Sequence, residues 1–120
     1  MAGKRVLIVD DTKTYRVLIS GIIRKMGCEI VGEAEDGDQA VEMFKALAPD
    51  LVMLDIEMPR MHGIAALKEI IAHDANAKVI MCTTVDNYDI VDDCLANGAV
   101  DYIRKDRLEQ IPDRVGPHVG

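Results

Sequence analysis

The feature that most constrains this chain is an alternation. Five short, nearly continuous apolar runs are separated by stretches whose apolar residues recur at helical spacing. The runs are Val6 to Val9, Ile30 to Gly32, Leu51 to Leu54, Val79 to Cys82 and Val100 to Ile103. A run without polar alternation suits a strand covered on both faces, as in a parallel sheet. Between the runs, four groups each predict a helix with one buried stripe: Tyr15, Ile19, Ile22, Ile23 and Met26; Val41, Phe44 and Ala48; Ile64, Leu67 and Ile71; Val91, Cys94 and Leu95. Gly27, Pro49 and Gly98 stand where the first, second and fourth helices should stop. The order reads βαβαβαβαβ with a weak or short fifth helix. Right-handed crossovers then make it an α/β fold with a doubly wound parallel sheet and helices on both faces. Pro112, Gly116 and Pro117 allow two helical turns at most near the end, so residues 112–120 read as a tail or linker stub.

At 120 residues and 49% hydrophobic, the chain suits one domain spanning 1–120. A net charge of −7 and the lack of a Lys/Arg cluster argue against a broad nucleic-acid-binding face. Near the start only Val6 to Val9 is continuously apolar, too short for a signal-peptide core or a membrane span, so a cytoplasmic protein without membrane insertion is expected. Cys28, Cys82 and Cys94 have neither an even count nor metal-ligand spacing and read as reduced packing residues. His62, His73 and His118 lack the spacing of a ligand set.

In an open parallel sheet, ligands bind beyond the carboxyl ends of the strands, where the strand order reverses. There the first run ends in Asp10 and Asp11, the third in Asp55, the fourth in Thr83 and Thr84, and the fifth is followed by Lys105. If the first and third strands are neighbours at about 5 Å, three carboxylates converge. Two such charges repel by roughly 3 kcal/mol at an effective dielectric of about 20, so the cluster needs a cation or a proton. Oxygen donors without sulfur or imidazole favour a hard ion, and few carboxylates favour Mg²⁺ with retained waters over a full calcium cage. A carboxylate nucleophile, a divalent metal, a hydroxyl and an ammonium together suit phosphoryl transfer. Asp55 is the natural nucleophile, with Asp10 and Asp11 holding the metal.

Taken singly, the same residues have plainer roles. Asp10, Asp11 and Thr12 suit a helix cap, Thr83 and Thr84 are ordinary strand formers, Tyr102 suits packing on an end strand, and Lys105 suits a solvated charge. Two classes of function therefore stand side by side. One is a signalling phosphoacceptor that turns over no released substrate; the other is an enzyme, either an aspartate-dependent phosphatase or flavodoxin-like. Against flavin, the chain has no Trp, 3% aromatic residues and no Ser/Thr/Gly-rich loop after the first run. Against the phosphatase, Glu57 stands where a second Asp would follow the nucleophile.

The ordered set VLIVDD, LDIEMP, the CTT strand end and GAVDYIRK resembles the receiver domain of bacterial response regulators in two-component signalling, particularly the single-domain chemotaxis (CheY-like) type. The resemblance covers nearly the whole chain. It implies a flavodoxin-like sheet of order 2-1-3-4-5 and phosphoryl donation by a histidine kinase or phosphotransfer protein. It further implies that Asp55 is the phosphoacceptor, that Asp10 and Asp11 form the metal pocket, and that Glu57 ligates Mg²⁺ through its backbone carbonyl. Thr83 and Lys105 would each bond a phosphoryl oxygen. Thr83 and Tyr102 would form the switch, signalling to an output protein at the face of the fourth helix, fifth strand and last helix. Two positions depart from the family pattern. Asp106 follows Lys105 where the family usually has proline, and His62 replaces the usual acidic residue before the glycine of the third loop. A cis bond before a non-proline residue costs about 2.5–4 kcal/mol, so a trans Lys105–Asp106 bond is expected. Asp106 is also placed to open the short last helix, with Pro112 near that helix's end.

Overall fold

A computed structural model describes residues 3–58, 61–84 and 88–119. The elements alternate as the sequence requires: β1 Arg5–Val9, α1 Lys13–Lys25, β2 Glu29–Ala34, α2 Gly37–Leu47, β3 Leu51–Asp55, α3 Gly63–His73, β4 Val79–Thr83, α4 Tyr88–Ala96 and β5 Asp101–Arg104. A 3-10 turn, Leu108–Gln110, then leads into α5, Ile111–Val119. The five strands form one parallel sheet of order β2-β1-β3-β4-β5. Strand order therefore reverses between β1 and β3, and the crevice at their carboxyl ends is where a ligand site belongs.

Successive strand residues point to opposite faces, which splits the core in two. On one face Leu7, Val9, Val52, Leu54, Val79 and Met81 pack under α2, α3 and α4, against Phe44, Leu67, Ile70 and Cys94. On the other, Val6, Ile8, Leu51, Met53, Ile80 and Ile103 pack under α1 and α5, against Ile19, Ile23, Ile111 and Val115. β1, β3 and β4 are covered on both sides, which is why they read as unbroken apolar runs.

Helix ends follow local chemistry. Gly27 and Gly98 take positive φ, of 85° and 107°, after α1 and α4. Ahead of Pro49, Ala48 adopts the left-handed conformation at φ 46°. There Arg5 Nη1 donates to the terminal carbonyls of Leu47 at 2.7 Å and Ala48 at 3.0 Å. His62, the substituted residue of the third loop, caps α3 by accepting the Ile64 N–H on Nδ1 at 3.3 Å.

The structure corrects several expectations. Residues 112–119, read as a tail, are helical in α5, and the stripe Ile111, Val115, Val119 is buried at successive turns. Pro112 sits in the first turn, where a missing N–H breaks no intrahelical bond. It therefore lies near the start of α5 and not its end. Pro117 lies inside the last turn on the exposed side of the helix, where its missing N–H removes one i−4 bond, to the Asp113 carbonyl. Asp106 opens no helix, because both of its carboxylate oxygens accept from Arg104, at 3.1 and 2.8 Å. No cis peptide bond occurs among the described residues, so the Lys105–Asp106 bond is trans as expected. In α3 the buried positions are Gly63, Ala66, Leu67 and Ile70, with Ile64 and Ile71 only flanking. In α4, Leu95 is 41% exposed. The cysteines are free and buried. No described helix is long and apolar enough to cross a membrane.

Candidate functional site

β1 and β3 pair in register up to Val9 and Leu54, so the next residues, Asp10 and Asp55, emerge side by side at the reversal point. Neighbouring backbone fixes each carboxylate. The Thr12 N–H donates to Asp10 Oδ1 at 2.8 Å, and the Glu57 N–H donates to Asp55 Oδ1 at 3.3 Å. Beneath Asp55 the chain is pinned by Ile56 N–H to the Cys82 carbonyl at 3.1 Å and by Gly63 N–H to the Ile56 carbonyl at 2.8 Å. Gly63 is needed there, because a Cβ would collide with the Asp55 carbonyl and lie 2.6 Å from Ile56 Cα.

Asp10, Asp11 and Asp55 each offer a carboxylate oxygen within 4.8 Å of the others. Asp10 and Asp55 are buried while Asp11 is exposed at the rim. Lys105 reaches in from the end of β5 and places its Nζ 2.6 Å from Asp10 Oδ2 and 3.2 Å from Asp55 Oδ1. The ammonium is thus the close charged partner of the buried Asp10 Oδ2. The all-oxygen donor set at this spacing fits a hard cation, with Asp10, Asp11 and Asp55 as donors.

Burial pushes the Asp55 carboxyl up to about 7; Lys105 pulls it down, Asp10 adds to the rise, and the Glu57 N–H lowers it. Burial pulls the Lys105 ammonium down, but contact with Asp10 and the charges of Asp55 and Asp10 outweigh this and leave it raised. Burial likewise raises the Cys82 thiol to about 12, so it stays protonated in the sheet beneath the carboxylates.

Above the cluster lies an open cavity of about 540 Å³ lined by Asp11, Thr12, Tyr15, Asp55, Glu57, Met58, Thr84 and Lys105. Thr83 ends β4 and is buried, and its carbonyl accepts the Lys105 N–H at 2.8 Å. Of Thr83 and Thr84, it is Thr84 that lines the cavity. Tyr102 lies on β5, away from the cavity lining, half-buried against the core under α4, with the Arg114 guanidinium 5.8 Å from its ring centroid. Pro59 of the LDIEMP stretch and Arg60 after it lie outside the described residues.

Two residues of the site had no chemical signal in the sequence. Arg16, buried on α1, donates from Nη1 to the Asp10 carbonyl at 2.8 Å and pairs with Glu33 at 3.2 Å and Glu35 at 3.5 Å. It ties the end of β1 to β2. Tyr15, read only as a stripe residue, lies beneath Lys105 with its ring centroid 4.4 Å from Nζ. An Arg or Tyr on a helix is too common a feature to single out until the fold places it.

Comparison with known proteins agrees with this geometry. The family model described as response regulator receiver domain matches residues 6–115. The chain is 48% identical over 103 residues to the chemotaxis protein CheY of Thermotoga maritima, covering 86% of each chain. It is 50% identical over 101 residues to the chemotaxis protein CheY of Bacillus subtilis, covering 84% of each. The crystal structure of the CheX-CheY-BeF3-Mg+2 complex from Borrelia burgdorferi matches with a TM-score of 0.91 at 37% identity, over 95% of this chain and 87% of that one. With the sheet order, the carboxylates at its reversal point and a match over nearly the whole length in agreement, this chain belongs to the receiver-domain family of two-component response regulators.

Proposed function

We propose that the chain is a single phosphoacceptor domain that takes a phosphoryl group from a histidine kinase or phosphotransfer protein onto Asp55 and thereby changes its affinity for an output partner. The observation that carries this reading is the placement of the Asp55 carboxylate. It is 3% exposed, it lies beside Asp10 and Asp11, and Lys105 is 3.2 Å away at the floor of an open cavity.

Asp10, Asp11, Asp55 and the Glu57 backbone carbonyl would hold Mg²⁺, which would neutralise charge on the carboxylates and on the incoming phosphoryl oxygens. An Asp55 oxygen attacks phosphorus. The new O–P bond forms as the bond to the donor nitrogen breaks, and the electron pair leaves with the imidazole. Attack requires the carboxylate form, which burial beside Asp10 disfavours and which a bound cation would favour. Lys105 follows the charge from the carboxylates to a phosphoryl oxygen. Thr83 moves toward another, which frees space beside β5 for Tyr102 to turn inward. The altered shape of the face of α4, β5 and α5 is what an output protein reads, and α4 carries the exposed apolar side chains of Tyr88 and Leu95. Phosphorylation and partner binding then strengthen each other reciprocally. The chemistry begins and ends on the protein's own aspartate, in the cytoplasm, with no released substrate and no direct nucleic-acid contact.

Incubation with acetyl phosphate and Mg²⁺ followed by intact-mass measurement tests the proposal. The wild-type protein is expected to gain the mass of one phosphoryl group, and Asp55→Asn or excess chelator is expected to abolish the gain. A gain that persists in either condition refutes it.

A further inference from the structure

We infer that Tyr15 is a positioning residue for Lys105, its ring face holding the ammonium inside the cavity while the charges around it change. The inference rests on the reading of Asp55 as phosphoacceptor. Lysine has a flexible four-carbon stem, and the backbone here does little to aim it. Lys105 is anchored through its N–H on the Thr83 carbonyl at 2.8 Å. The next residue, Asp106, is turned aside into a two-pronged pair with Arg104 at 3.1 and 2.8 Å. The direction of the side chain is therefore set by what its head touches: Asp10 at 2.6 Å, Asp55 at 3.2 Å and the Tyr15 ring at 4.4 Å.

Only one of these three partners is constant through the proposed cycle. A divalent ion entering the carboxylate cluster neutralises Asp10 and Asp55 and repels the ammonium. Phosphorylation then removes the Asp55 charge and places new oxygens further into the cavity. The Tyr15 ring keeps its attraction throughout, because a cation that stays over the ring face within about 6 Å of the centroid is attracted without needing a directed N–H. The ring is itself held, since Tyr15 packs against the core under α1 while lining the cavity. Lys105 can therefore slide from carboxylate to phosphoryl oxygen without leaving for solvent.

The test compares Tyr15→Leu, Tyr15→Phe, Lys105→Met and the Tyr15→Leu/Lys105→Met pair. The readouts are beryllofluoride affinity at saturating Mg²⁺ and, separately, Mg²⁺ affinity alone. Tyr15→Leu is expected to lose roughly 3- to 30-fold in beryllofluoride affinity with Mg²⁺ affinity preserved, Tyr15→Phe to restore it, and Tyr15→Leu to add nothing in the Lys105→Met background. Wild-type affinity in Tyr15→Leu overturns the inference, as does an equal loss in the Lys105→Met background or a parallel loss of Mg²⁺ affinity. NMR of the wild-type protein is independent of whether any variant folds. The Lys105 ε-methylene protons should be shifted upfield by the Tyr15 ring, and ordinary shifts there overturn the clamp. A wild-type protein that takes up neither beryllofluoride nor a phosphoryl group would sink the phosphoacceptor reading instead, leaving the upfield shift to decide on the clamp.

Discussion

Asp55→Asn should change the pH dependence of folding in a direction opposite to the usual effect of a buried carboxylate. Most structural carboxylates are held below their ordinary range by partners, and they lend stability that is lost in acid. Asp55 is raised from 3.8 to about 7, chiefly by burial, with the Asp10 charge beside it adding to the rise. Its folded state therefore binds a proton more tightly than its unfolded state. Stability from this group is fully present below about pH 4 and is lost as pH rises through about 7. At about 1.4 kcal/mol per tenfold change in the proton equilibrium, the whole loss comes to about 4 kcal/mol. The part falling between pH 5.5 and 8 is roughly 2 kcal/mol. Urea denaturation of both proteins in chelator across that range isolates the effect, because every other titrating group is common to the two. The wild-type protein should lose about 2 kcal/mol relative to Asp55→Asn as pH rises. Saturating Mg²⁺, at about a hundred times its Kd, should return about 2.7 kcal/mol to the wild type. Parallel curves in chelator would mean that Asp55 is ionised throughout, and the argument from burial and crowding would fail.

Four further outcomes follow from the same structure. Gly63→Ala should cost several kcal/mol by chemical denaturation and slow phosphorylation, because its Cβ would run into the Asp55 carbonyl; wild-type values in both would show that the loop has room to move. Arg16→Met should destabilise by about 1.5–3 kcal/mol, because the buried Asp10 carbonyl loses its charged donor while the partly exposed Glu33 and Glu35 contribute little; a change below about 0.5 kcal/mol would show that water replaces it. Ile111→Ala should cost about 2–5 kcal/mol if α5 is part of the core, and almost nothing if residues 112–119 behave as a tail. Thr83→Ala should still accept a phosphoryl group while losing most of the NMR response of Tyr102 to beryllofluoride; equal responses would remove Thr83 from the switch.

The strands and acids of this protein were legible in the sequence because two strong regularities carry them. Strands covered on both faces must be apolar throughout, and a doubly wound sheet gathers its chemistry at the carboxyl ends. Asp10, Asp11, Asp55 and Lys105 were found by those rules alone and do meet in the structure. What escaped lies where the local signal is degenerate. β2 is an edge strand, so it runs on through Glu33 to Ala34 beyond its apolar stretch. α3 offers Ile64, Ala65, Ala66, Leu67, Ile70 and Ile71, enough apolar residues that spacing alone does not choose the buried face. α5 carries Gly116 and two prolines, yet its outer side is open and its inner side fills a groove between β5 and α1; tertiary packing outweighs poor propensity. Thr84 joins the cavity wall one residue past the end of β4, where sequence cannot say at which residue the strand stops.

Borohydride trapping identifies which residue carries the phosphoryl group, here expected to be Asp55. An acyl phosphate on aspartate is reduced to homoserine, whose position can be read by peptide mass spectrometry after phosphorylation with acetyl phosphate and Mg²⁺. Homoserine at position 55, dependent on Mg²⁺, is the predicted result. Homoserine at position 10 or 11 would rule out Asp55 as the phosphoacceptor, as would its absence from a protein shown by intact mass to be phosphorylated.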